Sequence, residues 1–458
     1  MNLPLDVALR GVDITRLPYP PDPGIVFTSI ANDSRNAQPG ALFIAIEAER
    51  DGHDFIPDAR RNGAIGVVAR RVIDLGPWLP ASERGSFAYI VVDDPIDHLQ
   101  GLAADHRAAI DIGVVGVVGS VGKTTAKDVA AAVLRRRLNV LSSPGNFNNE
   151  IGLPIALLEL TDQHERAILE MGAYHQGEIA ALCEIARPTA AIVTTIGPTH
   201  LESFGSIEAI EHAKGEIVAY LPETGLAILN GDDPRVRRLA SRARCPIVWY
   251  GTGDQNIIRA RDIRMRGLDG VAFVIQHPDG EFRVETPLIG RHAVYPCLSA
   301  AALAFADDFS EADVAAGIAS IGSTSRLVPR PGRNGSTVLD DAYNAAPLSV
   351  AAALDVLADH GGRRVAILGD MLELGIAEED AHRGAGRRAA ATADVLWAVG
   401  RRARAIGQEA ELSGLRNVYY ADDEADIAFA PERGDLILVK GSRGMHLERV
   451  VERLVEAS

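Results

Sequence analysis

Apolar residues fall in short blocks along this chain, and what separates the blocks changes twice. Ahead of residue 109, strand-length runs such as "ALFIAI", "IGVVAR" and "FAYIVVDD" alternate with turn residues, which predicts a small α/β module. From Ile112 the pattern becomes a buried strand, a glycine-containing loop and an amphipathic helix. The further apolar runs "RAILEMG" and "AAIVTTIGPTH" each end in polar residues. Beyond "PRPGRNG", the runs "RVAILGD", "VLWAVG", "NVYYADD" and "DLILVKG" alternate with helical stretches, which predicts a second parallel sheet. The last helix carries Leu447, Val450, Val451 and Leu454 on one face. The fold class expected is therefore α/β in three domains, 1–108, 109–322 and 323–458. The central one is a P-loop nucleotide-binding parallel sheet, and the C-terminal one is a Rossmann-like doubly wound sheet.

Composition narrows the function. Of 458 residues, 47% are hydrophobic and 24% charged, the balance of a folded protein that stays in solution. A net charge of -16 argues against nucleic acid or an anionic membrane as partner, because such partners demand a basic surface. No apolar run approaches the about 20 residues of a membrane helix, and "MNLPLDVALRG" lacks the features of a signal peptide. The chain reads as cytoplasmic, without membrane insertion and as a monomer. Cys183, Cys245 and Cys297 are far apart and odd in number, which predicts reduced, non-catalytic thiols.

The candidate chemistry begins at "GSVGKTT". Gly119 and Gly122 let the backbone turn tightly so that its N–H groups face an anion, and the following helix adds its dipole. Lys123 is placed for the β- and γ-phosphates of ATP or GTP, and the Thr124 hydroxyl for Mg²⁺. Val117 stands where the usual loop has its first glycine, and the dinucleotide pattern GxGxxG is absent. A second signal is Lys214, which falls on the apolar stripe of Ile210, Ile217, Val218 and Leu221. Either its stem packs while its charge reaches water, or the amine is buried, uncharged and nucleophilic. Glu170 ends one strand and His200 follows another, so both belong at the carboxyl edge of the sheet. With Thr124 they could ligate Mg²⁺; equally, Glu170 could cap a helix and His200 be a buried, hydrogen-bonded histidine.

Taken in order, "GSVGKTT", "NFNNEIGLP", "EMGA", "IGPTHLESFGS" with "AKGEI", "DDAYNAAP", "LGDMLELG" and "KGSRGMHLE" resemble the Mur ligases of peptidoglycan synthesis over nearly the whole chain. The last two strings favour the member that joins D-alanyl-D-alanine to UDP-N-acetylmuramoyl-tripeptide at the expense of ATP. The resemblance implies an acyl phosphate route and three domains that bind the UDP-sugar, ATP and the incoming dipeptide. It implies Lys123, Glu170, His200 and Lys214 as catalytic residues. Thr124, Glu170, His200 and Lys214 would serve the metal, Lys214 as a carbamate. Around ATP it implies Gly119, Ser120, Gly122, Lys123, Thr124, Thr125, Asn148, Asn149, Arg326, Asp341, Tyr343 and Asn344, with Asn146 and Glu150 in the same loop as the asparagines. Ser34, Arg35 and His53 would meet the uridine diphosphate. Asp370, Met371, Glu373, Lys440, Ser442 and Arg443 would meet the dipeptide.

The chain departs from the family at Ala293 and Pro296, where asparagines are usual, and at Ser325 and Ala346 in place of glycine and asparagine. These departures bear on adenine contacts and domain closure. Two other functions compete with the leading one: a paralogous ligase acting on a different carboxylate and amine, and a non-catalytic nucleotide-binding module.

Overall fold

The computed structural model describes residues 1–322 and 326–456. Two compact units divide them. The first comprises Met1–Val115, Asn139–Met171 and Ala180–Pro188, the second Gly116–Leu138, Gly172–Ile179 and Thr189–Ser458.

In the first unit, Ser29–Ala31, Ala41–Ile44, Ala64–Ala69 and Ala88–Val91 form a four-stranded sheet in chain order, every pair parallel. Parallel pairing explains why these strands are continuous apolar blocks: Ala41–Ile44 and Ala88–Val91 are buried at every position. Ala41, Phe43, Val67, Tyr89 and Val91 pack with Ile56 and Ala59 of a short helix in one core. The helix Pro95–Ala108 starts where Asp94 accepts the N–H groups of Ile96 and Asp97, with proline in the first turn. The strands Val140–Ser142 and Arg166–Glu170 pair in parallel in the same unit.

In the second unit, Ala190–Val193, Leu226–Asn230, Ile247–Gly251 and Ile258–Met265 pair in parallel in that order. Val271–His277 and Gly280–Thr286 then extend this sheet as antiparallel strands, a part not anticipated from the sequence. The alternation of exposed and buried residues along Gly280–Thr286 is the pattern of a strand with one wet face.

The C-terminal sheet runs in the order Val328–Pro331, Thr337–Asp341, Leu436–Lys440, Arg364–Gly369, Val395–Val399, Val418–Ala421, and only its first pair is antiparallel. Alternate strand residues serve its two faces. Leu339, Ala366, Leu368, Leu396 and Leu438 pack with the helices Pro347–Ala358, Glu378–Thr392 and Arg404–Leu412. Val338, Val365, Ile367, Val395 and Val439 pack with Val450, Val451 and Leu454 of the last helix. This is a doubly wound sheet, and its carboxyl edge gathers the ends of neighbouring strands at Asp341, Lys440 and Gly369.

Candidate functional site

The strand Gly113–Val118 leads into the glycine loop, where Gly119 has φ 147° and Gly122 φ 86°. A Cβ on Gly119 would lie 2.0 Å from Thr194 Oγ1, so neither the angle nor the space admits a larger residue. Gly122 is the N-cap of the helix Lys123–Leu134 and puts no side chain over its amino end, the place an anion would occupy. Lys123 Nζ donates to the Gly119 carbonyl at 2.8 Å, which folds the ammonium back across the loop. Thr124 and Thr125 lie in the first helical turn.

Ser120 is anchored within the protein. Its hydroxyl donates to the Gly197 carbonyl at 2.8 Å and accepts the Gly197 N–H at 3.0 Å, while its own N–H donates to the Thr195 carbonyl. Thr194 Oγ1 donates to the Val121 carbonyl at 2.7 Å, and Asp233 accepts both Thr195 Oγ1 and the Ile196 N–H. Thr194, Thr195 and Asp233 therefore brace the phosphate loop. Sequence reading passed over them, because "TT" and "DDP" carry no motif.

The segment after Ala190–Val193 carries His200 with φ 55° at the start of the helix Leu201–Phe204. Its Nδ1 pairs with the carboxylate of Glu373, and the ring of Tyr174 lies against it with centroids 4.3 Å apart. Burial lowers the His200 pKa against the pull of Glu373, and the positive charges of Lys123 and Lys214 add to the lowering. Lys214, on the helix Ile207–Tyr220 among buried Ile210, Ala213, Ile217 and Val218, is only 2% exposed. Its Nζ lies 5.6 Å from the centre of the Phe204 ring. The Lys214 side chain is therefore packed inside the fold instead of reaching out to water. Lys123, His200, Lys214 and Glu373 thus share one electrostatic neighbourhood, with Glu373 facing His200.

In the first unit, Glu170 is the last residue of its strand and 3% exposed. Its carboxylate accepts Asn148 Nδ2 at 2.7 Å, and its N–H donates to Ser143 Oγ. Asn149 Oδ1 accepts the Gly152 N–H, a capping contact at the helix Gly152–Leu158, the Asn146 carbonyl accepts the Asn148 N–H, and the Glu150 carbonyl accepts Gln100 Nε2. The structure joins Asn148 to Glu170 and gives Asn149 a capping role.

Also in this unit, Arg35 is exposed and forks onto Asp33, which raises its pKa, while Ser34 is buried and its carbonyl accepts Asn62 Nδ2. His53 is fully buried. Its Nδ1 lies 2.7 Å from Asp51 Oδ1 and its Nε2 accepts the Arg70 N–H, so the partners assign the neutral Nδ1–H tautomer. Glu47, Asp51 and His53 converge, but the Arg71 guanidinium pairs with both carboxylates and supplies the positive charge there. His53 lies beside the Arg71 ion pairs, with both ring nitrogens engaged inside the protein.

At the carboxyl edge of the C-terminal sheet, Lys440 is buried in a short ion pair with Asp341 and donates to the Asn344 carbonyl at 2.9 Å. Burial pushes its pKa down, opposed by Asp341 and reinforced by Arg326. The Tyr343 ring carries two guanidiniums, Arg326 at 4.0 Å and Arg443 at 5.4 Å from its centroid. Asp370 Oδ1 accepts the Ala403 N–H at 2.7 Å, and the Asp370 carbonyl accepts the Ser442 N–H. Ser442 Oγ accepts the Leu372 N–H, and buried Met371 donates its N–H to His382 Nε2. These bonds fix two neighbouring loops against each other.

The departures have structural readings. Ala293 is buried, and Pro296 sits in the first turn of the helix Val294–Ala306, where a missing N–H costs nothing. Ala346 is the N-cap of Pro347–Ala358 without a side-chain hydrogen bond. Ser325 lies outside the described residues.

A braced glycine loop at the end of a buried strand, with a lysine opening the next helix and a doubly wound sheet following in the chain, defines a phosphate-loop nucleotide-binding α/β protein. Residues 117–304 match the Mur ligase middle domain and residues 325–443 the Mur ligase, glutamate ligase domain, and the chain belongs to the Mur ligase family. It is 36% identical to the UDP-N-acetylmuramoyl-tripeptide--D-alanyl-D-alanine ligase of Escherichia coli (strain K12), over 99% of this chain and 96% of that protein. It is 35% identical to the Bacillus subtilis (strain 168) ligase of the same name, over 94% of each. Among solved structures, MurF from Acinetobacter baumannii superposes with a TM-score of 0.84 at 29% identity, covering 99% of this chain and 98% of that one. MurF ligase from Thermotoga maritima, in complex with ADP, superposes with a TM-score of 0.77 at 28% identity, covering 93% and 96%. The fold is that of the three-domain Mur ligases.

Proposed function

We propose that this protein is the ATP-dependent ligase that joins D-alanyl-D-alanine to UDP-N-acetylmuramoyl-tripeptide, forming ADP and phosphate in peptidoglycan precursor synthesis. The observation that carries this reading is the end-to-end correspondence to the Escherichia coli ligase, in a chain that seats Lys123 in a braced glycine loop. The chemistry requires a carboxylate to approach a triphosphate, two anions that repel. The terminal carboxylate of the UDP-linked peptide attacks the γ-phosphorus, ADP leaves, and an acyl phosphate forms. The amine of D-alanyl-D-alanine then attacks the acyl carbon, loses a proton and expels phosphate.

The loop's N–H groups and Lys123 offset the phosphate charge and hold the groups in line. The loop fits a nucleotide: glycine is obligatory at Gly119 and the helix end at Gly122 is uncovered by any cap. Magnesium, when bound, supplies divalent charge to the phosphates. Thr124, His200 and Lys214 are proposed to serve it, Lys214 as a carbamate. Glu170, oriented by Asn148, is proposed as a further carboxylate ligand, and Asn149 acts through its cap. Gly119, Gly122 and Thr125 complete the loop around ATP, with Ser120 holding the loop's shape. Arg326, Asp341, Tyr343 and Asn344 are proposed to meet the nucleotide from the C-terminal sheet. Asp370, Met371, Glu373, Lys440, Ser442 and Arg443 are proposed to line the dipeptide site, Glu373 with its carboxylate on His200. Arg35 and Ser34 are proposed to meet the uridine diphosphate, with His53 organising that region from inside. The functional division runs 1–108 for the UDP-sugar, 109–322 for ATP and 323–458 for the dipeptide, and the reaction is placed in the cytoplasm, where ATP is made available. No helix among the described residues is long and apolar enough to cross a membrane.

The test is phosphate release by the purified protein with ATP and Mg²⁺, given UDP-N-acetylmuramoyl-tripeptide with and without D-alanyl-D-alanine, and with mass detection of product. Release that needs both substrates and yields the pentapeptide is expected. Silence with this pair, from a protein that still binds ATP, would reject the reading in favour of a paralogous ligase.

A further inference from the structure

Glu373 sits in the loop after the strand Arg364–Gly369, and its side chain and main chain engage the same short segment. Its carboxylate pairs with His200 Nδ1, and its carbonyl accepts the N–H of Glu202 at 3.1 Å. His200 is the N-cap of the turn Leu201–Phe204 and makes no side-chain cap of its own. Glu373 therefore satisfies an amide of that first turn and places a negative charge at its amino end.

Both residues of the pair hold left-handed backbone angles, φ 55° at His200 and φ 64° at Glu373. Neither is a glycine, so each conformation is sparsely populated on its own and persists where surrounding contacts over-determine it. The fit continues at Gly375, φ 51°, where an added Cβ would lie 3.3 Å from Glu202 Cα. On its other side the His200 segment is tied to the phosphate loop through Ser120 and Gly197. Tyr174 closes one face of the imidazole, and the Gly177 N–H near it is held by Glu216 of the Lys214 helix at 2.7 Å. The imidazole is thus fixed at Nδ1 by a carboxylate, on its face by a phenol ring, and in its backbone by a donor-acceptor pair. Nε2 is the ring nitrogen left to act.

We propose that Glu373 is a positioning residue: it fixes the tautomer and aim of His200 beside Lys123 and Lys214, and links the C-terminal sheet to the phosphate-loop region. The proposal rests on the role given above to His200. A carboxylate behind a working histidine keeps the proton on Nδ1 and the ring in one orientation, and removing such a partner costs about 10–100-fold in activity. The contact is made by 173 residues of separation in sequence, so it forms only when the C-terminal sheet is seated.

The experiment compares Glu373→Ala, Glu373→Gln and Glu373→Gly with His200→Ala in ATP-dependent phosphate release. Hydrogen exchange over residues 198–206 of the ligand-free protein provides a readout apart from turnover. Glu373→Ala should lower kcat about 10–100-fold with KM for ATP within about threefold, and should speed exchange in that segment. Glu373→Gln keeps an acceptor for Nδ1–H and should recover kcat to within about fivefold of wild type. Glu373→Gly relieves the backbone angle but lacks the carboxylate, so it should be as slow as Glu373→Ala. The double variant His200→Ala/Glu373→Ala should be no slower than His200→Ala. An inactive His200→Ala beside a Glu373→Ala with kcat within about twofold of wild type would overturn the positioning proposal alone. Full turnover by His200→Ala would overturn the role of His200 and the positioning proposal with it.

Discussion

Lys214 places an amine where water does not reach, and burial favours the neutral form of an amine over its ammonium. A neutral amine can add to carbon dioxide, forming an N–C bond and releasing a proton, which converts the side chain into an anionic carbamate. In the function proposed above, that step would give Lys214 a carboxylate with which to serve magnesium. Lys214→Ala should therefore abolish phosphate release, and short carboxylic acids such as acetate or formate should restore part of it by filling the vacated volume. No recovery across the soluble range would count against the carbamate. Lys440 is a second buried lysine, and its ammonium pairs with the Asp341 carboxylate. The anomaly at Lys214 was legible in the sequence because helical periodicity alone places it among Ile210, Ile217 and Val218. The use of Ser120, His53 and Glu373 was not. Their partners lie 77, 17 and 173 residues away, at Gly197, Arg70 and His200, and only the folded chain brings such pairs within a hydrogen bond.

Two helix starts in the second unit differ in how their first turns are satisfied. Ser310 and Asp313 cap Glu311–Ala319 reciprocally, each side chain accepting the other's backbone N–H. At Pro347–Ala358 the N-cap is Ala346, with extended angles suited to a cap but no side-chain acceptor; Ser349 Oγ bonds only the Ala346 backbone. Ala346→Asn should thus supply the missing acceptor to a first-turn N–H and stabilise the protein by about 1 kcal/mol. A rise in the denaturant midpoint of the transition, with its slope unchanged, would register this; an unmoved midpoint would show that the first turn is already satisfied. Elements as such were the most legible level. Blocks such as "ALFIAI", "RVAILGD" and "DLILVKG" are buried on both sides, and a parallel sheet is the arrangement that needs such blocks. The hairpin of Val271–His277 and Gly280–Thr286 escaped notice although its first strand is the apolar run "VAFVI": the second strand is half-polar, and the pair's place at the edge of a parallel sheet depends on pairing that no local pattern encodes.

Across the molecule, the excess of acidic groups behind the net charge of -16 makes stability depend on how the native state holds its carboxylates. Hydrogen bonds from arginines lower the pKa values of Asp33, Asp51, Asp394, Glu409 and Glu424. These pairs lie largely in solvent, where each adds little. Asp232 is more enclosed. Burial opposes its charge, but the N–H groups of Thr252 and Gly253, the Thr252 hydroxyl and the Asn256 amide together outweigh burial and lower its pKa. A carboxyl whose pKa is depressed on folding contributes stability above its unfolded value, near 3.8 for aspartate, and loses it as pH falls through the folded value. His98 acts in the same direction at higher pH. Burial lowers its pKa below 6.5, so under that value the unfolded chain takes up a proton that the native state resists. The melting temperature should accordingly decline gently below about pH 6.5 and steeply below about pH 4.5, as the acidic groups protonate and the basic ones repel. Asp232→Asn, which keeps the shape but has no charge to lose, should melt lower than wild type at pH 7 and approach it as pH falls toward 3. A wild-type melting temperature that stays level from pH 7 to pH 3, or a gap between the two proteins that does not narrow, would show that the Asp232 cluster does not set the acid limit of the fold.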